Sequence, residues 1–141
     1  MTHVTREILL ELDRDEAWEA LADLRGWLCA GAELELAEGE RGWLWLHDGE
    51  QRDVEVEEVV PGERLVLWWR PAGEDLRTRV CLTLDEEDDG TRVRVVESAP
   101  VYAVSTTRIG DHPVLRGGSM YGPAAMALPT LLARVPVSRY P

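Results

Sequence analysis

The feature that most constrains the fold is an alternation of apolar and polar residues that recurs four times between residues 53 and 100. Turn signals separate the runs, and Pro61-Gly62 and Asp88-Asp89-Gly90 are the clearest of them. Proline presets a negative φ and glycine permits a positive one, so such pairs favour tight turns. Strands joined by tight turns pair antiparallel. The segment therefore predicts an antiparallel meander.

The chain before the meander predicts one strand and two short helical segments. Residues 4–12 alternate like a strand, apart from Leu9. Asp13 and Glu16 then form a variant of the capping box, which predicts a helix over residues 13–24. A short second helical turn is expected at residues 27–30.

Two further strands are predicted at residues 33–38 and 42–47, with a glycine-bearing turn between them. The second of these is apolar on both faces over residues 43–46, so it requires cover from both sides or contributes to a dimer contact. The alternation of the next strand slips near Glu57 and Glu58, which predicts a β-bulge.

The C-terminal part predicts a loop and a helix. Residues 101–119 carry scattered glycines and no periodicity, which indicates a long loop, a candidate lid. Residues 122–134 then form an apolar helical stretch in which Pro123 suits the first helical position. Pro129 inside that stretch predicts a kink or an early stop, and leaves the size of any cavity beneath it open.

Glu97 is the most informative carboxylate, because its parity places it on the same strand face as Val93 and Val95. A buried charge is costly unless it is paired or neutralised. Glu97 is therefore a candidate polar anchor or general acid/base in a cavity, and the one candidate for a catalytic residue. The alternatives are a solvent-facing carboxylate on a twisted strand and a structural pair with an arginine.

Charge and composition exclude several classes of function. The 141 residues carry a formal net charge of −12, and all 15 basic residues are arginine. Such a chain repels phosphate backbones and anionic lipid and has no lysine for Schiff-base chemistry. Cys29 and Cys81 lack the spacing of a zinc site, so we expect reduced thiols and neither metal nor cofactor. We expect one domain over residues 1–141 and, with no targeting or membrane-spanning segment, a cytoplasmic location.

Three motifs in this order resemble the SRPBCC superfamily, the helix-grip proteins related to START lipid-transfer domains and plant pollen allergens. The closer resemblance is to the bacterial branch of activator-of-heat-shock-ATPase homologues. The motifs are Asp13-x-x-Glu16-Ala17-Trp18-x-Ala20-Leu21, Val54-x-Val56-Glu57-Glu58-Val59-x-Pro61-Gly62-x-Arg64-Leu65-x-Leu67-x-Trp69 and Gly90-Thr91-Arg92-Val93-x-Val95-x-Glu97-Ser98.

The resemblance implies an α+β helix-grip fold. A curved antiparallel sheet of six to seven strands wraps around a C-terminal α-helix, with two short helices after the first strand. Relatives include hydrophobe carriers, polyketide cyclases and chaperone activators, so the resemblance implies fold more closely than function. We expect a small hydrophobic or aromatic ligand in the cavity between sheet and helix. The candidate ligand-binding residues are Trp27, Trp45, Trp69, Val95, Glu97, Tyr102, Tyr121 and Met126. Ordinary core packing is the alternative role for the tryptophans and for Met126.

Two other functions stay open. A polyketide cyclase-like enzyme would use Glu97 or a tyrosine hydroxyl for proton transfer, although none of the three histidines has the sequence context of a nucleophilic triad. A protein-interaction module, or a chaperone ATPase activator, would use the doubly apolar strand at residues 43–46. That strand is also a candidate homodimer contact. An exposed Trp43 or Trp45 would favour this last function.

Overall fold

The computed structural model of the chain describes residues 2–99 and 123–134. Within these ranges the structure has seven strands, two α-helices and one 3-10 helix. They are β1 Thr2–Leu10, α1 Arg14–Ala22, the 3-10 helix Leu24–Gly26, β2 Gly31–Glu33, β3 Arg41–Trp45, β4 Gln51–Val60, β5 Arg64–Pro71, β6 Thr78–Glu87, β7 Gly90–Ala99 and α2 Pro123–Arg134.

All seven strands form one antiparallel sheet in the order β1-β7-β6-β5-β4-β3-β2. Strands β2 to β7 are a meander in which each strand pairs with the next along the chain. Strand β1 is the edge strand next to β7 and pairs with it, with Thr2 opposite Ala99. The α2 helix packs mainly against β1 and β7. The predicted helix-grip fold with six to seven antiparallel strands and two short helices after β1 is therefore confirmed.

Local sequence signals explain where the elements begin and turn. Helix α1 starts after Asp13, whose Oδ1 accepts a hydrogen bond from the Glu16 amide at 2.8 Å, as the capping box predicts. The β4–β5 turn contains Gly62 at φ 81°, a left-handed conformation that glycine adopts without a Cβ clash. Pro71 ends β5, as proline cannot donate to the ladder.

The predicted bulge lies in β4. The register with β5 shifts between Val56 and Glu58, so Glu57 is the extra residue. The bulge lets two consecutive glutamates lie on the polar side of the sheet while Val54 and Val56 stay buried.

The sheet has one buried and one solvated face. Alternating residues of β6 and β7, among them Val80, Leu82, Val93 and Val95, are fully buried on what we call the inner face. Their neighbours along each strand lie on the outer face, where arginines pair with acidic residues. This is the pattern of an antiparallel sheet that packs its core on one side.

Two predicted boundaries are wrong. The strand expected at residues 33–38 is only Gly31–Glu33, because the Ala37 amide bonds the Glu35 carbonyl at 2.9 Å and turns the chain away from the ladder. The second helical turn comes earlier than residues 27–30, at Leu24–Gly26. The Leu24 carbonyl accepts the amides that follow it.

Helix α2 begins at Pro123, as predicted, and continues past Pro129 to Arg134, so the expected early stop does not occur. Ala124, Ala125, Leu128 and Leu131 of this helix are buried. The loop predicted at residues 101–119 lies outside the described residues. No helix within the described ranges is long and apolar enough to cross a membrane.

Candidate functional site

The inner face carries a fully buried carboxylate, that of Glu97, with 0% of the residue exposed. Its Oε2 accepts a hydrogen bond from the Trp69 indole N–H at 2.7 Å and another from the Thr78 hydroxyl at 3.2 Å. Its Oε1 accepts a third from the Ala124 backbone amide at 3.3 Å. These donors replace water around a group whose burial would otherwise be costly.

The sheet register brings these side chains together. Glu97 lies opposite Val80, and Trp69 lies opposite Thr78. Thr78 and Val80 share one face of β6, so Thr78 is the diagonal neighbour of Glu97, whereas the Trp69 indole reaches Glu97 from β5 across the width of β6. Diagonal neighbours on one face lie about 7–8 Å apart, within reach of long side chains.

Glu97 also joins α2 to the sheet. Pro123, the first residue of α2, has no N–H, so the Ala124 amide is the first one that the helix end can offer. Amides in the first turn of a helix lack partners within the helix, and the positive end of its dipole favours a carboxylate. The Glu97 carboxylate meets both requirements at a buried position.

Arg52 places a second fully buried charge on the inner face. Its Nε donates to Glu50 Oε1 at 2.6 Å, and its guanidinium lies 4.8 Å from the centre of the Trp69 ring. Trp69 thus contacts a cation with its ring face and a carboxylate with its N–H, which fixes the ring in place. We call Arg52, Trp69, Thr78 and Glu97 the inner polar cluster.

The chemistry of the cluster is that of a polar anchor in an apolar wall. Three or more His, Cys, Asp or Glu side chains do not group as a metal site anywhere in residues 2–99 and 123–134. Burial raises the pKa of both thiols, Cys29 and Cys81, and so keeps them protonated. The cluster offers fixed donors and acceptors beside buried valines and leucines.

Among the predicted site residues, the structure brings together Trp69, Val95 and Glu97 on the inner face. Trp27 is fully buried and donates its indole N–H to the Leu21 carbonyl at 2.9 Å, so it closes the end of α1. The predicted residue Tyr102 lies outside the described residues, as does Tyr121.

The structure separates two predicted residues from this group. Trp45 alternates with the buried Leu44 and pairs with Gln51, which places it on the outer face beside Trp43, with 6.2 Å between ring centres. Met126 is 73% exposed, on the side of α2 that faces away from the sheet. Neither residue lines the inner face.

Sequence reasoning missed Arg52 and did not identify Thr78 as a site residue. The signal for Arg52 was present, because it shares its parity with Val54 and Val56. An arginine near the start of a strand is normally interpreted as a solvent-exposed residue. Only the cross-strand register shows that Trp69 lies within reach of its guanidinium.

The outer face carries a counterpart of this cluster. The Trp68 indole N–H donates to Glu57 Oε1 at 2.6 Å, and the Arg77 guanidinium lies 4.6 Å from the Trp68 ring centre. Arg79 makes two hydrogen bonds to Glu57, both at 3.1 Å. The Arg79 bonds, followed by the Trp68 bond, hold the pKa of Glu57 below its ordinary value.

Comparison with known proteins identifies a family. The profile of the family described as Activator of Hsp90 ATPase homolog 1-like protein matches residues 11–117. No curated protein sequence matches the chain significantly.

Solved structures share the fold. Protein MLL2253 from Mesorhizobium loti is 24% identical, with 96% of this chain and 100% of that chain covered and a TM-score of 0.66. DynU16, from the dynemicin biosynthetic locus, is 21% identical over 96% of this chain and 48% of its own, with a TM-score of 0.68. The Aha1 dimer from Colwellia psychrerythraea is 16% identical, with coverages of 85% and 96% and a TM-score of 0.58.

Proposed function

Because the chain belongs to the family of Activator of Hsp90 ATPase homolog 1-like proteins, a branch of the SRPBCC superfamily, we propose that it binds a small hydrophobic or aromatic molecule between the sheet and α2. The ligand would lie on the inner face beside the inner polar cluster. Apolar side chains would supply most of the affinity, at about 25 cal/mol per Å² of apolar surface buried.

One observation carries the proposal, which is the complete burial of the Glu97 carboxylate on a face that is mostly apolar. Replacing a buried ionic group by apolar side chains of similar volume is often neutral or stabilising, so core packing alone does not require a carboxylate here. Ligand sites, in contrast, are mostly apolar and contain a few fixed polar groups that orient the ligand. Arg52 and Thr78 extend the same pattern around Trp69.

The ligand class follows from the surface. Valine and leucine side chains from β4 to β7 give an apolar wall, and the Trp69 indole adds an aromatic edge. A flat aromatic ring or an alkyl chain with one polar group fits this surface.

The test is NMR mapping of the backbone amides against fatty acids, flavonoids and polycyclic aromatics. We expect saturable shifts at Trp69, Val95, Glu97 and the first turn of α2. Shifts confined to the outer face, or no shifts from a folded protein, would exclude a ligand site on the inner face.

Matched variants sharpen this test. Thr78→Val removes a hydroxyl from the inner polar cluster, whereas Thr83→Val removes one from the outer face of the same strand. One hydrogen bond near the ligand corresponds to about a fivefold change in Kd. We expect such a change for Thr78→Val alone. Equal affinities for both variants would place the ligand elsewhere.

A protein-interaction role is the second candidate, favoured by Trp43, which is 39% exposed. Self-association belongs to this candidate, and the dimeric Aha1 structure from Colwellia psychrerythraea supports it. Activation of a chaperone ATPase would be tested by the hydrolysis rate of a purified Hsp90-type chaperone with and without the chain. The cyclase-like alternative gains no comparable support, because three donors already engage Glu97.

A further inference from the structure

The outer face contains a groove of about 570 Å³ across β3, β4, β5 and the approach to β6. The β3–β4 and β4–β5 pairings place the residues that line the groove side by side. Trp43 lies opposite Asp53, which lies opposite Arg70. In the adjacent row, Glu55 lies between Arg41 and Trp68. The groove is on the opposite side of the sheet from the inner polar cluster.

Trp43 gives the groove an apolar rim. Within the described residues it is one of two large hydrophobic side chains that are clearly exposed, the other being Met126. The Trp45 ring meets it edge-on and holds it in position. The Trp68 ring, in contrast, is covered by Arg77. Trp43 therefore presents apolar surface beside a groove that the described residues leave open.

The charges of the groove balance, unlike those of the chain as a whole. Its charged residues are Arg41, Arg70 and Arg77 with Asp53, Glu55 and Asp75, three of each sign. The whole chain has a net charge of −12. Two copies of such a chain repel each other over most of their surfaces, but not where the signs balance.

Two ion pairs in the groove are long, whereas a third is tight, with Arg77 Nη1 3.1 Å from Glu55 Oε1. Arg70 Nε lies 3.5 Å from Asp53, and Arg41 Nη2 lies 3.8 Å from Glu55. The Arg41 side chain is 78% exposed. Exposed pairs at these distances contribute little to folding, so re-pairing with a neighbouring molecule costs little.

We propose that this groove is the contact surface of a symmetric homodimer, in which Trp43 of each copy packs against the groove of the other. A two-fold interface brings one patch against an identical patch and therefore requires self-complementarity. Equal numbers of arginines and carboxylates meet that requirement, whereas a patch of one sign does not. Strand β3 lies between β2 and β4, so at Trp43 the contact is face to face rather than strand to strand.

The proposal rests on the self-association named above and is independent of ligand binding on the inner face. The measurement is sedimentation velocity of the full chain over a wide range of concentration. We expect a reversible monomer–dimer equilibrium. Trp43→Ser removes the aromatic side chain that packs against the partner's groove and should raise the dimer Kd about thirtyfold, the effect of losing an interface hot spot.

A charge-matched pair of variants tests the surface itself. Arg41→Glu alters the groove, and Arg94→Glu alters the outer face of β7, where Arg94 pairs with Glu7 at 3.6 Å. Both substitutions lower the net charge equally. We expect Arg41→Glu to raise the dimer Kd about tenfold through like-charge contacts, and Arg94→Glu to leave it nearly unchanged.

Two outcomes would overturn the proposal. If the wild-type chain stays monomeric at every concentration, self-association is excluded. A dimer that tolerates both Trp43→Ser and Arg41→Glu would retain self-association but place its interface elsewhere. Circular dichroism of each variant shows that a lost dimer is not a lost fold.

Discussion

Neighbouring tryptophans on β5 make the same two interactions on opposite faces of the sheet. Trp69 donates its indole N–H to Glu97 and lies under the guanidinium of Arg52. Trp68 donates to Glu57 at 2.6 Å, and its ring lies under Arg77. The bond lengths and ring distances nearly coincide, and the two sites differ mainly in solvent exposure. Glu97 is fully buried, whereas the Glu57 side chain is 40% exposed.

This comparison separates chemistry from environment. On the outer face, water replaces any partner that is lost, so the interaction contributes little net free energy. On the inner face no water is at hand, and loss of one partner leaves another buried and unpaired. The same contacts therefore fix the positions of the side chains on the inner face, whereas on the outer face they contribute little to stability.

The largest expected effect comes from truncating the two glutamates. Glu97→Ala leaves the Trp69 N–H, the Thr78 hydroxyl and the Ala124 amide without this acceptor. It should lower the free energy of unfolding by about 3–5 kcal/mol. Glu57→Ala should lower it by at most about 1 kcal/mol. Urea unfolding followed by tryptophan fluorescence measures both, and equal losses would remove the distinction between the faces.

A smaller difference is expected when the indole donors are removed. Trp69→Phe takes one donor from a buried carboxylate and should cost about 1–3 kcal/mol. Trp68→Phe makes the same change beside water and should cost below about 1 kcal/mol. Urea midpoints with unchanged m-values give the comparison. A larger loss for Trp68→Phe would show that the outer tryptophan has a structural role that its exposure does not reveal.

The smallest effect is a pH dependence of the outer face. The hydrogen bonds from Arg79 hold the folded-state pKa of Glu57 below the ordinary value of 4.5. The carboxylate therefore stabilises the fold above that value, and the contribution is lost as the pH falls through the lower folded-state pKa. Thermal unfolding of Glu57→Gln and wild type should differ near neutral pH and converge in acid. A difference that grows in acid would contradict the assignment.

The sequence predicted those parts of the fold that short-range patterns control. Turn chemistry located the meander, the Asp13 cap located α1, and the slip at Glu57 located the bulge. Parity also placed Glu97 on the apolar face correctly. Each of these signals lies within a few residues along the chain, where steric and hydrogen-bonding rules act directly.

The parts that failed depend on long-range register. Trp45 lies in a run that is apolar on both faces, so the sequence alone does not show which face of β3 is buried. The register does, because Gly42 lies opposite the buried Val54 and Trp45 belongs to the other face. The partners of Glu97 are 19 to 28 residues distant, and nothing local indicates them. The prediction that Met126 lines the cavity failed for a different reason. The buried stripe of α2 runs through Leu128 and Leu131, and Met126 lies on the opposite side of the helix.

The pairing of β1 with β7 has a consequence for synthesis of the chain. Leu10 lies opposite Thr91, so β1 waits for its partner while about eighty residues are translated. At common translation rates this delay is on the order of 5–15 s, far longer than the microseconds in which a hairpin closes. The hairpins of β2 to β7 can form during the delay, whereas the backbone of β1 stays unpaired. The sheet topology thus sets a minimum delay before β1 can pair. Slower translation lengthens the time in which the unpaired β1 can pair with a wrong strand.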